Sequence, residues 1–297
     1  MFEEIAKLIN EDVFAKLRER SLTVFLVGAS QESSTSIRES IRKELIGRRY
    51  GNWLDVYYPE ELFEELIRSR AHFDLLSLEN LLAKNVHAVV IILESPGAIA
   101  ELGSFASHKK LRDRLVVVID EKYRKAKSFI ILGPVRYLNK NTKSIVIFHN
   151  LRKPQIVELG EQIRGAVRKI SADVQVDTSV ANPIAAQHFL LVAIYLMDSV
   201  PREILDDVMQ AVGVNHSENI TIIVTSSLNI LLRQREVILQ DGKYRLTREG
   251  LERLRLTMKL EPEGQNIERS LDKLRVKILN STLRGQKKLL QSRERAT

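Results

Sequence analysis

No cysteine occurs among the 297 residues, which excludes disulfides, thiolate zinc sites and cysteine nucleophiles together. No apolar run approaches the roughly 20 residues that span a bilayer, so no membrane association is expected. The opening stretch MFEEIAKLINEDVF is acidic and amphipathic, unlike a signal peptide. With the missing cysteines, this makes a cytoplasmic protein the expectation. Several motifs are also missing: the dinucleotide fingerprint GxGxxG, the phosphate-binding loop GxxxxGK(S/T) and the nucleophile elbow GxSxG. The six histidines (His72, His87, His108, His149, His188 and His216) show no HExxH-like spacing, so no metal site is expected. No internal repeat stands out.

What is present suffices for about two domains. Hydrophobic residues make up 44% and charged residues 28%. The formal charge is +8 and the pI about 9.6. That excess suits an anionic partner, because attraction to phosphate is long-ranged and independent of sequence. An ordinary basic protein would show the same balance.

The first half alternates strand and helix patterns. Thr23–Val27, Asp55–Tyr58, His87–Leu93, Leu115–Ile119 and Ser144–Phe148 read as strands, and the most apolar suit burial on both faces. Ser33, Ser34 and Thr35 are candidate N-caps for a helix with Ile37, Ile41 and Leu45 on one face. Further helices are expected around 62–68, 75–84, 98–111 and 154–170. This order predicts an α/β fold: a parallel, Rossmann-like or flavodoxin-like sheet with helices on both faces. Ligands of such sheets sit beyond the carboxyl ends of the strands, where Gly28-Ala29-Ser30 and Glu94–Gly97 fall.

Residues 171–183 read as a polar linker. Beyond it come three helical stretches (184–196, 202–212 and 220–236) and two short strands around Asp241-Gly242, a hairpin signal. A helix capped by Thr247 follows. That order describes a winged helix, a relative of the helix-turn-helix. The expected domains are 1–172, 183–262 with the winged helix, and a basic helical tail, 263–297. From Arg269 on, the tail has nine Lys/Arg against Asp272 and Glu294. It is either a solvated end or a nucleic-acid or partner contact.

The segment Glu94-Ser95-Pro96-Gly97-Ala98-Ile99-Ala100-Glu101-Leu102-Gly103 carries the most chemistry. Gly97 lets the backbone approach a ligand. Glu101 follows about one turn into a helix, where exposed N–H groups favour an anion and lower its pKa. A carboxylate so placed suits an anomeric carbon bearing positive charge, with Gly103 leaving room beside it. The alternative is a Glu that only complements the helix dipole. Glu79, beside an apolar stripe, is a candidate second carboxylate, or a solvent-facing residue. Gly28, Ala29 and Ser30 could cradle phosphate or sugar oxygens with backbone N–H groups. Arg233, Arg235, Lys243 and Arg245 near the hairpin could meet nucleic-acid phosphates or a partner, or form a solvated face.

VFLVGAS, DVYYPEELFEELI, LLSLENLLAKNVHAVVIILESPGAIAELGSFA, RKAKSFIILGPVRYL and the winged-helix half together resemble the effectors of type II bacterial retrons. These toxins join a nucleoside deoxyribosyltransferase-like domain to a C-terminal winged helix. The resemblance runs from about Val24 to Lys259. It implies N-glycosidic cleavage, with NAD⁺ as substrate and not cofactor, yielding nicotinamide and ADP-ribose. It also implies control by a reverse transcriptase and its msDNA, an RNA–DNA hybrid, and higher-order assembly into filaments. By position, Glu101 matches the catalytic glutamate and Gly97 the motif glycine. Glu79 falls near the second acidic position. Ser95 stands where classical transferases carry Asp, which argues against base exchange between deoxynucleosides. A regulator that senses a nucleotide and binds DNA without catalysis is the non-enzymatic alternative.

Overall fold

The computed structural model describes residues 2–14, 21–29, 36–46, 53–62, 64, 85–177, 179–212, 217–258, 271–276 and 278–280. These fall into two compact units. One is Ser21–Asp177; the other combines Met1–Arg20 with Thr178–Thr297. The first residues were expected to join the sheet domain, yet they group with the C-terminal unit. The reason is apolar. In α1 (Phe2–Leu8) and the wider helical turn Ile9–Phe14 that continues it, Ala6, Ile9 and Phe14 are buried in that unit's core. The Phe14 ring meets Phe189 edge-on at 5.4 Å between centroids.

The unit Ser21–Asp177 is built on β1 (Ser21–Val27), β2 (Trp53–Tyr57), β3 (Ala88–Ile92), β4 (Leu115–Asp120) and β5 (Ile145–His149). All pair in parallel, in the order β2-β1-β3-β4-β5. Every residue of β3 and β4 is buried, as parallel strands covered on both faces require. One face places Val24, Leu26, Val90, Ile92, Val116 and Val118 against α2 (Ile37–Ile46) and α5 (Ile156–Ser171). The other face is covered by α3 (Pro96–Ser107) and α4 (Arg136–Asn141), whose Leu102, Phe105 and Leu138 are buried.

The capping residue of α2 is Ser36. Its Oγ accepts the Glu39 N–H at 3.1 Å, and Ser36-x-x-Glu39 is a capping-box pattern. The candidates Ser33, Ser34 and Thr35 lie outside the described residues. On α2, Ile41 and Leu45 are buried and Ile37 packs partly buried against the same core, as the spacing predicts; Arg38 joins the buried set.

In the C-terminal unit α6 (Pro183–Met197) is apolar all round, with every residue from Pro183 to Ile194 buried, so it forms the unit's central rod. Around it stand α7 (Arg202–Val212), α8 (Ser217–Arg233) and α9 (Arg248–Met258). β6 (Val200–Pro201), β7 (Val237–Gln240) and β8 (Lys243–Leu246) make an antiparallel sheet in the order β6-β8-β7. The three helices, the hairpin and the following helix stand in the expected order, and the two-residue strand β6, which the sequence did not suggest, is added between the first two helices. The hairpin turns on Asp241 (φ 52°) and Gly242 (φ 70°), the left-handed pair that a two-residue turn demands. Thr247 Oγ1 accepts the Gly250 N–H at 3.1 Å and caps α9 as expected.

Residues 271–276 and 278–280 are helical and do not trail free. Leu271, Leu274 and Ile278 are buried in the same core. Arg275 reaches Asp198 at 2.7 Å. Among the described residues no helix is long and apolar enough to cross a membrane.

Candidate active site

The strand order reverses between β1 and β3, where a doubly wound sheet opens its ligand crevice. Two segments meet there: Gly28-Ala29 after β1 and Glu94-Ser95 after β3. Glu94 Oε1 accepts the Ala29 N–H at 3.2 Å. A Cβ on Gly28 would stand 3.1 Å from that oxygen and 3.2 Å from Arg38 Cδ. A side chain at 28 would thus press on Glu94 and Arg38, which would have to give by a few tenths of an ångström. Ser30 lies outside the described residues.

Arg38 organises the floor, and its side chain is almost wholly buried. Its Nε donates to Leu26 O at 3.0 Å and Nη1 to Ala29 O at 3.4 Å. Nη2 meets the Glu60 carboxylate at 2.6 and 2.7 Å. The guanidinium lies 4.0 Å from the centre of the Tyr58 ring. Tyr58 in turn donates to Glu39 Oε2 at 2.5 Å. Burial first, then that bond, raises the phenol's pKa.

Ser95 caps α3. Its backbone is extended, and its Oγ accepts the Ala98 N–H at 3.2 Å, followed by Pro at the first position, where a missing N–H costs nothing. Glu101 is half-buried one and a half turns on. Burial raises its pKa above the ordinary carboxylate range, the Glu60 charge adds to the rise, and Arg38 pulls it back. The low pKa expected from the helix dipole is therefore reversed: that influence fades beyond the first turn, and desolvation dominates. Glu94 is raised too, by burial, against the Ala29 bond and Arg38. Glu60, Glu94 and Glu101 thus share the field of one buried cation.

Gly97 is exposed, and a Cβ there would touch only Ser95 Oγ, at 3.9 Å. That leaves the backbone open to an incoming molecule. Gly103 is also exposed, with nothing within 4 Å of an added Cβ. It does not clear space beside Glu101, because the space is already open solvent. Glu79 lies outside the described residues.

A cavity of about 690 Å³ opens beside the crevice. Glu94, Ser95 and Ile99 form one wall, Tyr123, Ile130 and Ile131 the apolar wall opposite, and Lys122 and Arg152 add cations. Glu101 is not among its lining residues; Ile99, two residues away on the helix, is. Among the described residues no group of three or more His, Asp or Glu side chains could hold a metal ion.

Four participants escaped the sequence reading: Arg38, Tyr58, Glu60 and Glu94. One signal was available. Arg38, Ile41 and Leu45 follow helical i, i+3, i+7 spacing, so an arginine stood on an apolar stripe, where an unpaired charge is costly. Glu94 ended the strongest strand and was noted only for its place. Glu60, far along the chain, gave no signal of meeting Arg38.

The expected contacts of the C-terminal unit are spread out. Arg233 ends α8, and Arg235 follows with a left-handed backbone (φ 57°). Lys243 and Arg245 alternate on β8, both exposed. Arg245 Nε donates to Ser199 Oγ at 3.1 Å.

The chain resembles known proteins across most of its length. The ribosyltransferase/DNA-binding protein of Escherichia coli retron Ec86 is 29% identical over 270 residues, covering 87% of this chain and 84% of that protein. The similarly named protein of Escherichia coli retron Ec73 is 29% identical over 144 residues, 48% of this chain and 46% of that protein. The profile of the STM3845 retron effector protein family matches residues 34–238, from the approach to α2 through the strand-end crevice into β7. The chain therefore belongs to the STM3845 retron effector family.

Proposed function

We propose that this retron effector is an anti-phage toxin: an N-glycosidase that hydrolyses NAD⁺ to nicotinamide and ADP-ribose, restrained by a reverse transcriptase and its msDNA. The observation that carries the reading is the carboxylate pair at the switch point. Glu94 and Glu101 flank the start of α3, both half-buried and both tempered by Arg38. The names of the Escherichia coli relatives, which speak of ribosyl transfer and DNA binding, support the same class.

In the proposed reaction the bond between ribose C1′ and the pyridinium nitrogen breaks, and its electron pair stays on that nitrogen. Nicotinamide leaves neutral, so no acid is required. The positive charge developing on C1′ is met by the ionised Glu101 carboxylate. Water adds its oxygen to C1′ and gives its proton to Glu94, whose raised pKa suits a base. Arg152 in the cavity wall supplies a cation for a pyrophosphate, joined by Lys122, which pairs with Asp120 at 3.4 Å on the same wall, and the cavity's volume falls in the range of small-molecule sites.

Ser95 favours this leaving group over a purine. Its hydroxyl is committed to capping α3, and a hydroxyl cannot replace a carboxylic acid in protonating a departing base. Deoxynucleoside base exchange is thereby the weaker alternative.

The test is chromatography of nicotinamide released from NAD⁺ by purified protein. Wild type releases it, and Glu101→Gln reduces the rate about 10²–10⁴-fold. Release that survives Glu101→Gln removes that residue from the chemistry. No release from NAD⁺, nucleotides or nucleosides favours a nucleotide-sensing regulator.

A further inference from the structure

The positive charge of the chain is concentrated in two stretches, the tail from Arg269 on, with nine Lys/Arg against two Asp/Glu, and one inside the sheet unit. Residues 108–143 hold eleven Lys/Arg against three Asp/Glu, a net +8 equal to that of the whole protein. Residues 178–258, which include the winged-helix elements, hold eight against nine, a net −1. Helix α8, placed where a winged helix usually meets DNA, has Arg233 as its sole basic residue.

The charge of 108–143 is also available. Lys109, Lys110, Lys125, Lys127, Arg136 and Lys140 are exposed, and among the described residues none of them forms a salt bridge. They are interleaved with bare apolar groups. The helical run into α4 exposes Phe129 to 86%, Leu132 to 50% and Tyr137 to 39%. Phe129 and Leu132 precede a kink at Gly133, and Arg136 and Lys140 follow it four residues apart on α4. At its far end Tyr137 Oη accepts from Arg112 at 2.9 Å, which ties the helix to the Lys109-Lys110 turn.

From this juxtaposition of unpaired cations and exposed rings, we infer that the α4 face of the sheet unit binds single-stranded nucleic acid. The cations neutralise successive phosphates, and Phe129 offers a platform on which an unpaired base stacks. A duplex would satisfy the cations but leave the ring idle, because its bases are already stacked. A membrane surface would want the apolar groups projecting together as one wedge, whereas here they alternate with charged residues along the chain. The inference does not depend on the glycosidase reading.

The test is binding of a fluorescein-labelled oligothymidine of about twelve nucleotides to the full chain, without NAD⁺, across a salt series. Wild type binds with an affinity that falls steeply with salt. The combined variant Lys125→Gln/Lys127→Gln/Arg136→Gln/Lys140→Gln flattens the log–log slope by about 3, from about 0.7 per phosphate contact. Phe129→Ala weakens binding about tenfold while leaving the slope nearly unchanged. An unaltered thermal melt confirms that both variants fold. Several outcomes overturn the inference: affinity unmoved by the combined variant, affinity lost only on changing Arg233, Arg235, Lys243 and Arg245, a duplex competing as well as the single strand, or retention on anionic phosphatidylglycerol vesicles but not on the oligonucleotide.

Discussion

The two units use polar residues in opposite ways. The sheet unit draws carboxylates and an arginine into its strand-end crevice and lays its unpaired cations along the α4 face. The C-terminal unit surrounds an apolar rod, and among its described residues the most desolvated ion pair, Arg253 with Glu236, stands apart from any cleft of carboxylates. Its buried polar groups are few, and one is an orphan: neither amide atom of Gln187, fully buried in α6, has a hydrogen-bond partner. A sheet unit that tolerates desolvated charge at one edge is the place to look for chemistry.

The comparison breaks most sharply at Glu101. If the chemistry belongs to the sheet unit, Glu101→Gln abolishes nicotinamide release by the factor given above, while Arg233→Ala and Arg235→Ala leave the intrinsic rate of free protein unchanged.

Arg38 comes next. Arg38→Met strands Glu60 and leaves the Leu26 and Ala29 carbonyls unpaired. A loss of about 2–4 kcal/mol is expected by denaturant titration, below the upper range for a fully buried pair because Glu60 is partly solvated. The same change removes the charge that holds the Glu101 pKa down. The acid limb of the pH–rate profile should then move to higher pH, since activity requires the ionised form.

In the C-terminal unit, Gly250→Ala drives a Cβ to 2.0 Å from the Glu236 carbonyl oxygen. Backbone cannot yield as a side chain would, so about 1–3 kcal/mol should be lost. Gln187→Met, which fills the same space without polar atoms, should gain about 1 kcal/mol in the same titration. A loss there would show that the amide has a partner after all.

The smallest effect is a pH-dependent one. Glu94 has a raised pKa in the folded protein, so the folded state holds that proton longer than the unfolded chain does. Its contribution is favourable below the ordinary carboxylate pKa and is lost as pH rises through the folded value. Glu94→Gln, which still accepts the Ala29 N–H, should therefore melt higher than wild type at neutral pH and no higher at acid pH.

The strands were legible because burial on both faces leaves an unbroken apolar run, as in Ala88–Ile92, and the hairpin because Asp-Gly suits few other turns. Strand ends shifted by a residue or two, since pairing with a neighbour and not composition decides where a ladder stops. The helical run before α4 was not assigned. Its Gly133-Pro134 pair reads as a breaker, and the backbone is non-helical at Gly133, where two helical segments meet across a kink.

By itself the sequence determined the periodicities, the turn and cap residues, the net charge, and the place of Glu101 just past a strand-end glycine. Those depend on neighbours within a few positions, or on the chain's total. Tertiary structure decided that Arg38 is buried, that Glu60 and Glu94 stand in its field, and that Glu101 titrates high and not low. It also decided that the first helix belongs to the last domain. Each of these depends on desolvation and Coulomb energy between groups tens of residues apart, distances that folding alone closes.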